Sequence, residues 1–168
     1  MSFSMYSASV PVFKQMLNSL LAVLNKAEAH VEEKKLDPNA FLQFRLYPDM
    51  LPFVRQVQIA ADFAKGAGCR LAGQEVPSYE DFEKTFPELK LRIVKTLSLL
   101  DNLAKSDIEG SEDRAITTGS GEKTRHFVGK DYLLHYALPH FYFHCTTAYA
   151  ILRHNGVEIG KKDYIGTY

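Results

Sequence analysis

Apolar residues recur at helical spacing in four long stretches of this chain, and that periodicity restricts its fold more than any other feature. The stretches cover about residues 10–35, 48–71, 78–104 and 131–155. Each places apolar side chains three and four positions apart, so that one face of a helix can be buried. With 168 residues, the chain is long enough to enclose one core. We therefore predict an all-α four-helix bundle that forms a single domain over residues 1–168.

A polar crossover separates the third and fourth predicted helices. Within residues 106–129, the segments RAITT and KTRHFV flank GSGE, a pattern that is typical of a small β-hairpin. In the fourth helix, Pro139 has no amide hydrogen for the carbonyl of His135, which predicts a kink or break just before His140. The tail, residues 157–168, has no helical period, so we expect an extended arm.

Composition and charge argue against several classes of function. The chain has 20 basic and 20 acidic residues and is 46% hydrophobic, so its overall charge attracts neither nucleic acid nor anionic lipid. Its two cysteines, Cys69 and Cys145, form no CxxC pair, and no window approaches the roughly 18 apolar residues of a membrane span. We expect a cytoplasmic protein with no nucleic-acid partner and no membrane partner.

Two histidines lie four positions apart in the most aromatic stretch of the chain, PHFYFHCTTAYAILRHNG, residues 139–156. Positions i and i+4 share a helix face, so the rings of His140 and His144 can converge on one divalent ion. A catalytic zinc site needs about three protein ligands and an open position, and Asp62 of the second helix is the candidate third ligand. The alternative is that one imidazole is a hydrogen-bonded core residue and the other is partly exposed.

The ring of His144 is expected inside the protein because it shares a helix face with four apolar residues: Ala137, Phe141, Ala148 and Ile151. A buried imidazole needs polar partners, and Gln58 and Asp62 on the second helix are the candidates. The alternative pairs Asp62 with Arg55 or Lys65 on a solvated face. No GxSxG, P-loop, GxGxxG or HExxH motif is present, which argues against hydrolase elbows, NTPases, dinucleotide folds and zincin proteases.

Three segments resemble an uncharacterised bacterial and fungal family of the DinB-like superfamily. They are YPDMLP, AADFAKG and FYFHCTTAYAILRHNGVEIGKKDYIG, and the likeness extends over nearly the whole chain. The resemblance implies a four-helix bundle with a long crossover, commonly dimeric, and in many members a zinc or nickel ion held by three histidines. His140 and His144 match the helix-four pair of that pattern in spacing, while helix two has Gln58 or Asp62 at the height of the third histidine. Several characterised members of the superfamily are thiol-dependent transferases or isomerases.

Three hypotheses for function follow. The first is a divalent-metal-dependent, transferase-like enzyme that acts on a small molecule, with zinc or nickel held by His140, His144 and Asp62. The second is a metal-free bundle that binds a small molecule through Gln58, Asp62, Tyr142 and His144. The third is a non-catalytic homodimer in which the helix faces pair and the tail packs on a partner.

Overall fold

Long helices form most of the chain in the computed structural model, which describes residues 4–168. The first is α1, Val10–Glu33, followed by the short α2, Pro38–Gln43. The helix α3 covers Phe53–Leu71, and α4 covers Phe86–Asp101. The last long helix is α7, Leu138–His154. These elements enclose one hydrophobic core, and α3 lies between α7 and α4.

The small residues of α3 allow a close approach to the C-terminal end of α4. A methyl group built on Gly68 would lie 2.7 Å from side-chain carbons of both Leu100 and Leu103. Real side chains do not approach so closely, so Gly68 leaves the space that these two leucines fill. The glycine- and alanine-rich half of α3 therefore serves helix packing.

Two predicted helix starts are wrong. The second helix begins at Phe53 rather than near residue 48, because residues 47–50 form a turn closed by a hydrogen bond from the Met50 amide to the Tyr47 carbonyl. The third begins at Phe86 rather than near residue 78. The hydroxyl of Thr85 caps α4 by accepting a hydrogen bond from the Glu88 amide at 3.3 Å, and Pro87 occupies the first turn, where its missing amide hydrogen costs nothing.

Residues 74–85 have no regular secondary structure and cross the outside of α3 and α4; we call this segment the strap. Its inward anchor is Glu83, whose carboxylate accepts hydrogen bonds from Arg92 of α4 and Gln58 of α3. Tyr79 of the strap lies over the Lys65 ammonium, 3.8 Å from the ring centroid. The strap is thus held by buried polar contacts rather than by a helical backbone.

The crossover contains the predicted hairpin. After α5, Lys105–Ile108, the strand β1, Ala115–Thr118, pairs antiparallel with β2, Arg125–Val128, and Ile116 lies opposite Phe127. A 3₁₀ turn, Gly121–Lys123, connects the strands, and the helical turn α6, Gly129–Asp131, follows them. The structure is therefore mostly helical with one two-stranded sheet, as the periodicity and the turn residues predict.

The expected break near Pro139 takes the form of a wider helix. Tyr132–Ala137 is π-helical, and the Leu138 amide donates to the Leu133 carbonyl five residues back. Because proline cannot donate a hydrogen bond and its ring crowds the preceding turn, the chain adopts this wider spacing before α7 begins. The chain continues as a helix, with no break before His140.

The prediction of an extended arm for the tail is wrong. Residues 161–165 form α8, Lys161–Ile165, which packs against α1. The Lys26 ammonium binds the Asp163 carboxylate at 2.7 Å, and the hydroxyls of Tyr164 and Thr146 lie 2.8 Å apart. Within residues 4–168, none of the helices combines the length and the hydropathy that a membrane span requires.

Candidate ligand-binding site

The ring of His144 lies on the buried face of α7, opposite α3. Only 9% of the residue is exposed. The four apolar residues that share its helix face are all buried, namely Ala137, Phe141, Ala148 and Ile151. The prediction that residue 144 faces inward is confirmed.

A chain of hydrogen bonds connects His144 to the backbone at the start of α3. The Nδ1 atom of His144 lies 2.7 Å from Oε1 of Gln56. The amide nitrogen of the same glutamine donates to the Leu51 carbonyl at 3.0 Å. Since Gln56 is almost fully buried, both ends of its amide are fixed by these two contacts.

The chain of hydrogen bonds determines where the imidazole carries its hydrogen. The Leu51 carbonyl can only accept, so it must face the amide nitrogen of Gln56, and the amide oxygen must then face His144. That oxygen also only accepts, so Nδ1 of His144 carries the hydrogen and donates it. In the neutral ring, Nε2 then keeps a free lone pair and is an acceptor.

The environment of His144 favours the neutral ring. Burial, together with the nearby His140, lowers the pKa of His144 from its ordinary value of 6.5 to about 4. Burial penalises the charged form of an imidazole, and a second imidazolium would repel it. At pH 7 the ring is therefore overwhelmingly neutral, with Nε2 unprotonated.

The Nε2 atom of His144 has no hydrogen-bond partner among the described residues. Among residues 4–168, the buried polar side-chain atoms that lack any hydrogen-bond partner are Arg92 Nε and Ser111 Oγ. His144 Nε2 is not one of these buried atoms, and no residue in the same range forms a hydrogen bond with it. The nitrogen is consequently unpartnered and not completely enclosed.

Aromatic rings surround the imidazole of His144. Phe63 of α3 stacks on His140, with ring centroids 4.7 Å apart and planes 6° from parallel. The same phenyl ring lies 6.0 Å from the His144 ring at an interplanar angle of 18°. Tyr136 packs on His140 at 4.7 Å, and Phe143 meets His144 edge-on at 5.3 Å. His140 and Phe143 are exposed, so the aromatic cluster reaches the protein surface.

Asp62 and Gln58 lie on the other side of α3, facing α4 and the strap. Both carboxylate oxygens of Asp62 accept from one guanidinium nitrogen of Arg92 at 3.0 Å, and Lys65 binds the same carboxylate at 2.9 Å. Gln58 donates to Glu83 at 2.7 Å. The hypothesis that these two side chains meet His144 is corrected here: a salt-bridge network with α4 holds them instead.

The predicted set of metal ligands does not assemble. Asp62 is engaged by two cations, which compete directly with a bound metal for its lone pairs. Within the described residues, no three His, Cys, Asp or Glu side chains are grouped so that they could hold a metal ion. The residues present therefore do not fit the three-ligand zinc or nickel centre that the sequence predicted, and metal binding stays a prediction.

Tyr142 is also remote from the His144 edge. Neighbours two positions apart on a helix point about 200° from one another. Tyr142 is 38% exposed, and burial, followed by the nearby Tyr164 and Cys145, raises its pKa. Tyr149 packs against Tyr164 at 5.7 Å. These tyrosines belong to the α8 side of α7.

The two larger clefts beside the strap are separate from His144. They have volumes of about 400 and 510 Å³ and share Ser78, Tyr79 and Lys95. Neither is lined by His144, whose ring packs instead with Phe63 and Phe143. His144 is thus a nearly buried residue that lies apart from these two clefts.

Gln56 and Phe63 are the site residues that the sequence did not single out. Both lie on the stripe of α3 that faces α7, which also contains Ala60 and Ala67. The signal was a glutamine in an otherwise apolar stripe, at a position opposite the inward histidine. It was missed because Gln58 and Asp62 carry more conspicuous chemistry, and their partners on α4 and in the strap could not be foreseen.

Comparisons with known proteins identify relatives of the whole chain. Residues 5–165 match the family described as "Domain of unknown function (DUF1993)". The crystal structure of a DinB family member from Shewanella denitrificans is similar, with 41% sequence identity and a TM-score of 0.88. The alignment covers 97% of this chain and 92% of that one. No curated protein matches the sequence.

Proposed function

The chain belongs to the DUF1993 family and is a DinB-like protein, and from this premise we propose that its long helices form a DinB-like bundle that binds a small organic molecule at His144. The ligand donates a hydrogen bond to Nε2 of His144 and lies against the aromatic rings of Phe63 and Phe143. The observation that carries this proposal is the hydrogen-bond chain from the Leu51 carbonyl through Gln56 to His144.

Binding of a ligand by His144 is better supported than abstraction of a proton from that ligand. With a pKa of about 4, the ring holds a proton poorly. Taking a proton from a thiol, whose ordinary pKa is about 8.5, would be uphill by about 6 kcal/mol. A neutral imidazole nevertheless accepts a hydrogen bond well. His144 acting without a metal therefore suits ligand recognition.

The aromatic surroundings favour a flat ligand. Phe63 offers part of its face beside His144, and Phe143 is 55% exposed at the same edge. Aromatic pairs stabilise a complex by about 0.5–1.5 kcal/mol beyond the area that they bury. A planar ring with a hydroxyl or amino group can use both the imidazole and these rings.

A thermal-shift screen tests the proposed function. The probes are phenol, indole and 2-aminopyridine, each with and without EDTA. A compound at about ten times its Kd stabilises the native state by about 1.4 kcal/mol, which raises the Tm of a domain of this size by about 3 °C. We expect such a shift for at least one probe, and the same shift in EDTA.

The matched variants are His144→Phe and His135→Ala. Phenylalanine keeps an aromatic ring at position 144 but has no lone pair, so the shift should disappear. His135 is exposed and precedes α7, so His135→Ala should retain it. The proposal fails if none of the probes shifts the Tm, if a folded His144→Phe protein keeps the shift, or if the shift requires added zinc or nickel.

A further inference from the structure

The chain of hydrogen bonds at His144 begins at a backbone carbonyl oxygen, which can only accept a hydrogen bond. The Leu51 carbonyl belongs to the backbone just before α3, and it accepts from Gln56. Gln56 is buried, so its amide has no water-exposed orientation in which to turn. The backbone carbonyl of Leu51 therefore fixes the direction of both hydrogen bonds, from Gln56 to Leu51 and from His144 to Gln56.

We infer that Gln56 is the specificity-determining residue of this site, because it holds His144 in the Nδ1–H form and so selects ligands that bring a hydrogen-bond donor. Ligands that offer only an acceptor meet the lone pair of Nε2 and are rejected. The ligand class is a flat aromatic molecule with a hydroxyl, amino or ring N–H group. This inference rests on the proposed function.

Each alternative arrangement breaks a buried hydrogen bond. If the hydrogen moved to Nε2, the lone pair of Nδ1 would face the Gln56 oxygen across 2.7 Å. If the glutamine amide turned over as well, its oxygen would face the Leu51 carbonyl across the 3.0 Å contact. Losing one buried hydrogen bond leaves the alternative form outnumbered by about tenfold or more.

The site should bind a ligand that carries only an acceptor more weakly than a ligand that carries a donor. A site built to accept a hydrogen bond leaves a buried acceptor unpaired when the ligand lacks a donor. Phenol and anisole make a suitable pair of probes, since they share a ring and differ in whether the oxygen carries a hydrogen. Indole and 1-methylindole form a second pair.

The first measurement needs no ligand. Long-range nitrogen–proton NMR spectra of the ¹⁵N-histidine-labelled protein at pH 7 report which ring nitrogen carries the hydrogen. We expect His144 to show a protonated Nδ1 and an unprotonated Nε2. The opposite form, or an equal mixture of the two, would overturn the role given to Gln56.

The second measurement compares the affinities of paired probes by NMR titration. For the wild type, phenol should bind at least about tenfold more tightly than anisole. Gln56→Met keeps the length of the side chain but removes the acceptor for Nδ1, so the ratio should fall towards one and the two forms of the ring should mix.

Gln58→Met is the matched control, because Gln58 is equally buried but bonds to Glu83 of the strap. It should leave the tautomer of His144 unchanged. Equal binding of phenol and anisole to the wild type would overturn donor selection, even with the expected tautomer. If phenol, anisole and both indoles all fail to bind, the proposed function and the ligand class are wrong. The NMR spectrum of the tautomer then tests only whether Gln56 holds His144 in the Nδ1–H form.

Discussion

At the scale of single residues, Asp62 is a clear case of what a sequence can and cannot assign. Its carboxylate in the middle of a helical apolar pattern indicated a polar partner inside the protein. That partner is Arg92, which lies on α4 and binds Asp62, Asp81 and Glu83 together. The pairing of Asp62 with Lys65 was one of the alternatives that the sequence offered, and it is present. The pairing with Arg92 could not be predicted, because periodicity identifies the buried face of each helix but does not tell which faces meet.

The Arg92 cluster makes a prediction about stability. Arg92→Met leaves the buried Glu83 without its cation, and breaking such a buried pair costs about 3–5 kcal/mol. Lys14 also binds a carboxylate, that of Asp101, but both side chains are exposed, so Lys14→Met should cost less than about 1 kcal/mol. Urea unfolding at pH 7 measures both values. Equal losses in the two variants would show that burial does not distinguish these pairs.

At the candidate site, the inward position of His144 could be predicted from the sequence, but its hydrogen bond with Gln56 could not. The position of His144 followed from its spacing relative to Phe141 and Ala148, because residues three and four apart share a helix face. The partnership with Gln56 depends on how α3 is rotated against α7. Nothing within either helix fixes that rotation, which arises from packing across the whole core.

At the scale of elements, boundaries set by turn chemistry were the least predictable. The hairpin was visible because its glycines and β-branched residues are local signals. The start of α4 was not, since we predicted it near residue 78, and the true cap is Thr85, seven residues later. The strap occupies the place of the expected first turns of helix, and Glu83 within it binds Arg92.

The tail was also misjudged, because five residues of helix are too few to show a period. Its stability comes from packing: Val157 and Ile159 are buried in the core, and α8 lies on α1. Deleting residues 157–168 should therefore destabilise the protein by at least about 3 kcal/mol, because burying each of these two side chains contributes about 1.5–3 kcal/mol and the contacts of α8 add to that.

Deleting only residues 167–168 is the control, because both are exposed. That shorter deletion should change the free energy of unfolding by less than about 0.5 kcal/mol. Circular dichroism during thermal and urea unfolding measures both proteins. A 157–168 deletion that is as stable as the wild type would show that the tail is dispensable to the folded chain.

At the scale of the whole molecule, the fold class followed from four runs of helical period, and relatives over nearly the full length agree with it. A mostly helical fold is predictable because it needs apolar stripes of sufficient length, and the sequence has four of them. The predicted homodimer and the cytoplasmic location stay predictions. Light scattering in solution measures the first of these directly.

The charge state of His144 connects this site to the stability of the whole protein. Its pKa in the folded protein, about 4, lies below the ordinary value of 6.5, so the unfolded chain takes up the proton first. The neutral ring thus contributes stability that is fully present above about pH 6.5. That contribution, about 3 kcal/mol, is lost as the pH falls from about 6.5 to about 4.

The proposed site depends on an unprotonated Nε2 of His144 at neutral pH, and an NMR pH titration of the ring nitrogens measures this protonation. We predict a midpoint near pH 4, with Nδ1 protonated and Nε2 unprotonated throughout the range from pH 6 to 8. The exposed His135 provides the reference in the same spectra. A midpoint for His144 near 6.5, or an Nε2 that carries a hydrogen at pH 7, would contradict the proposal.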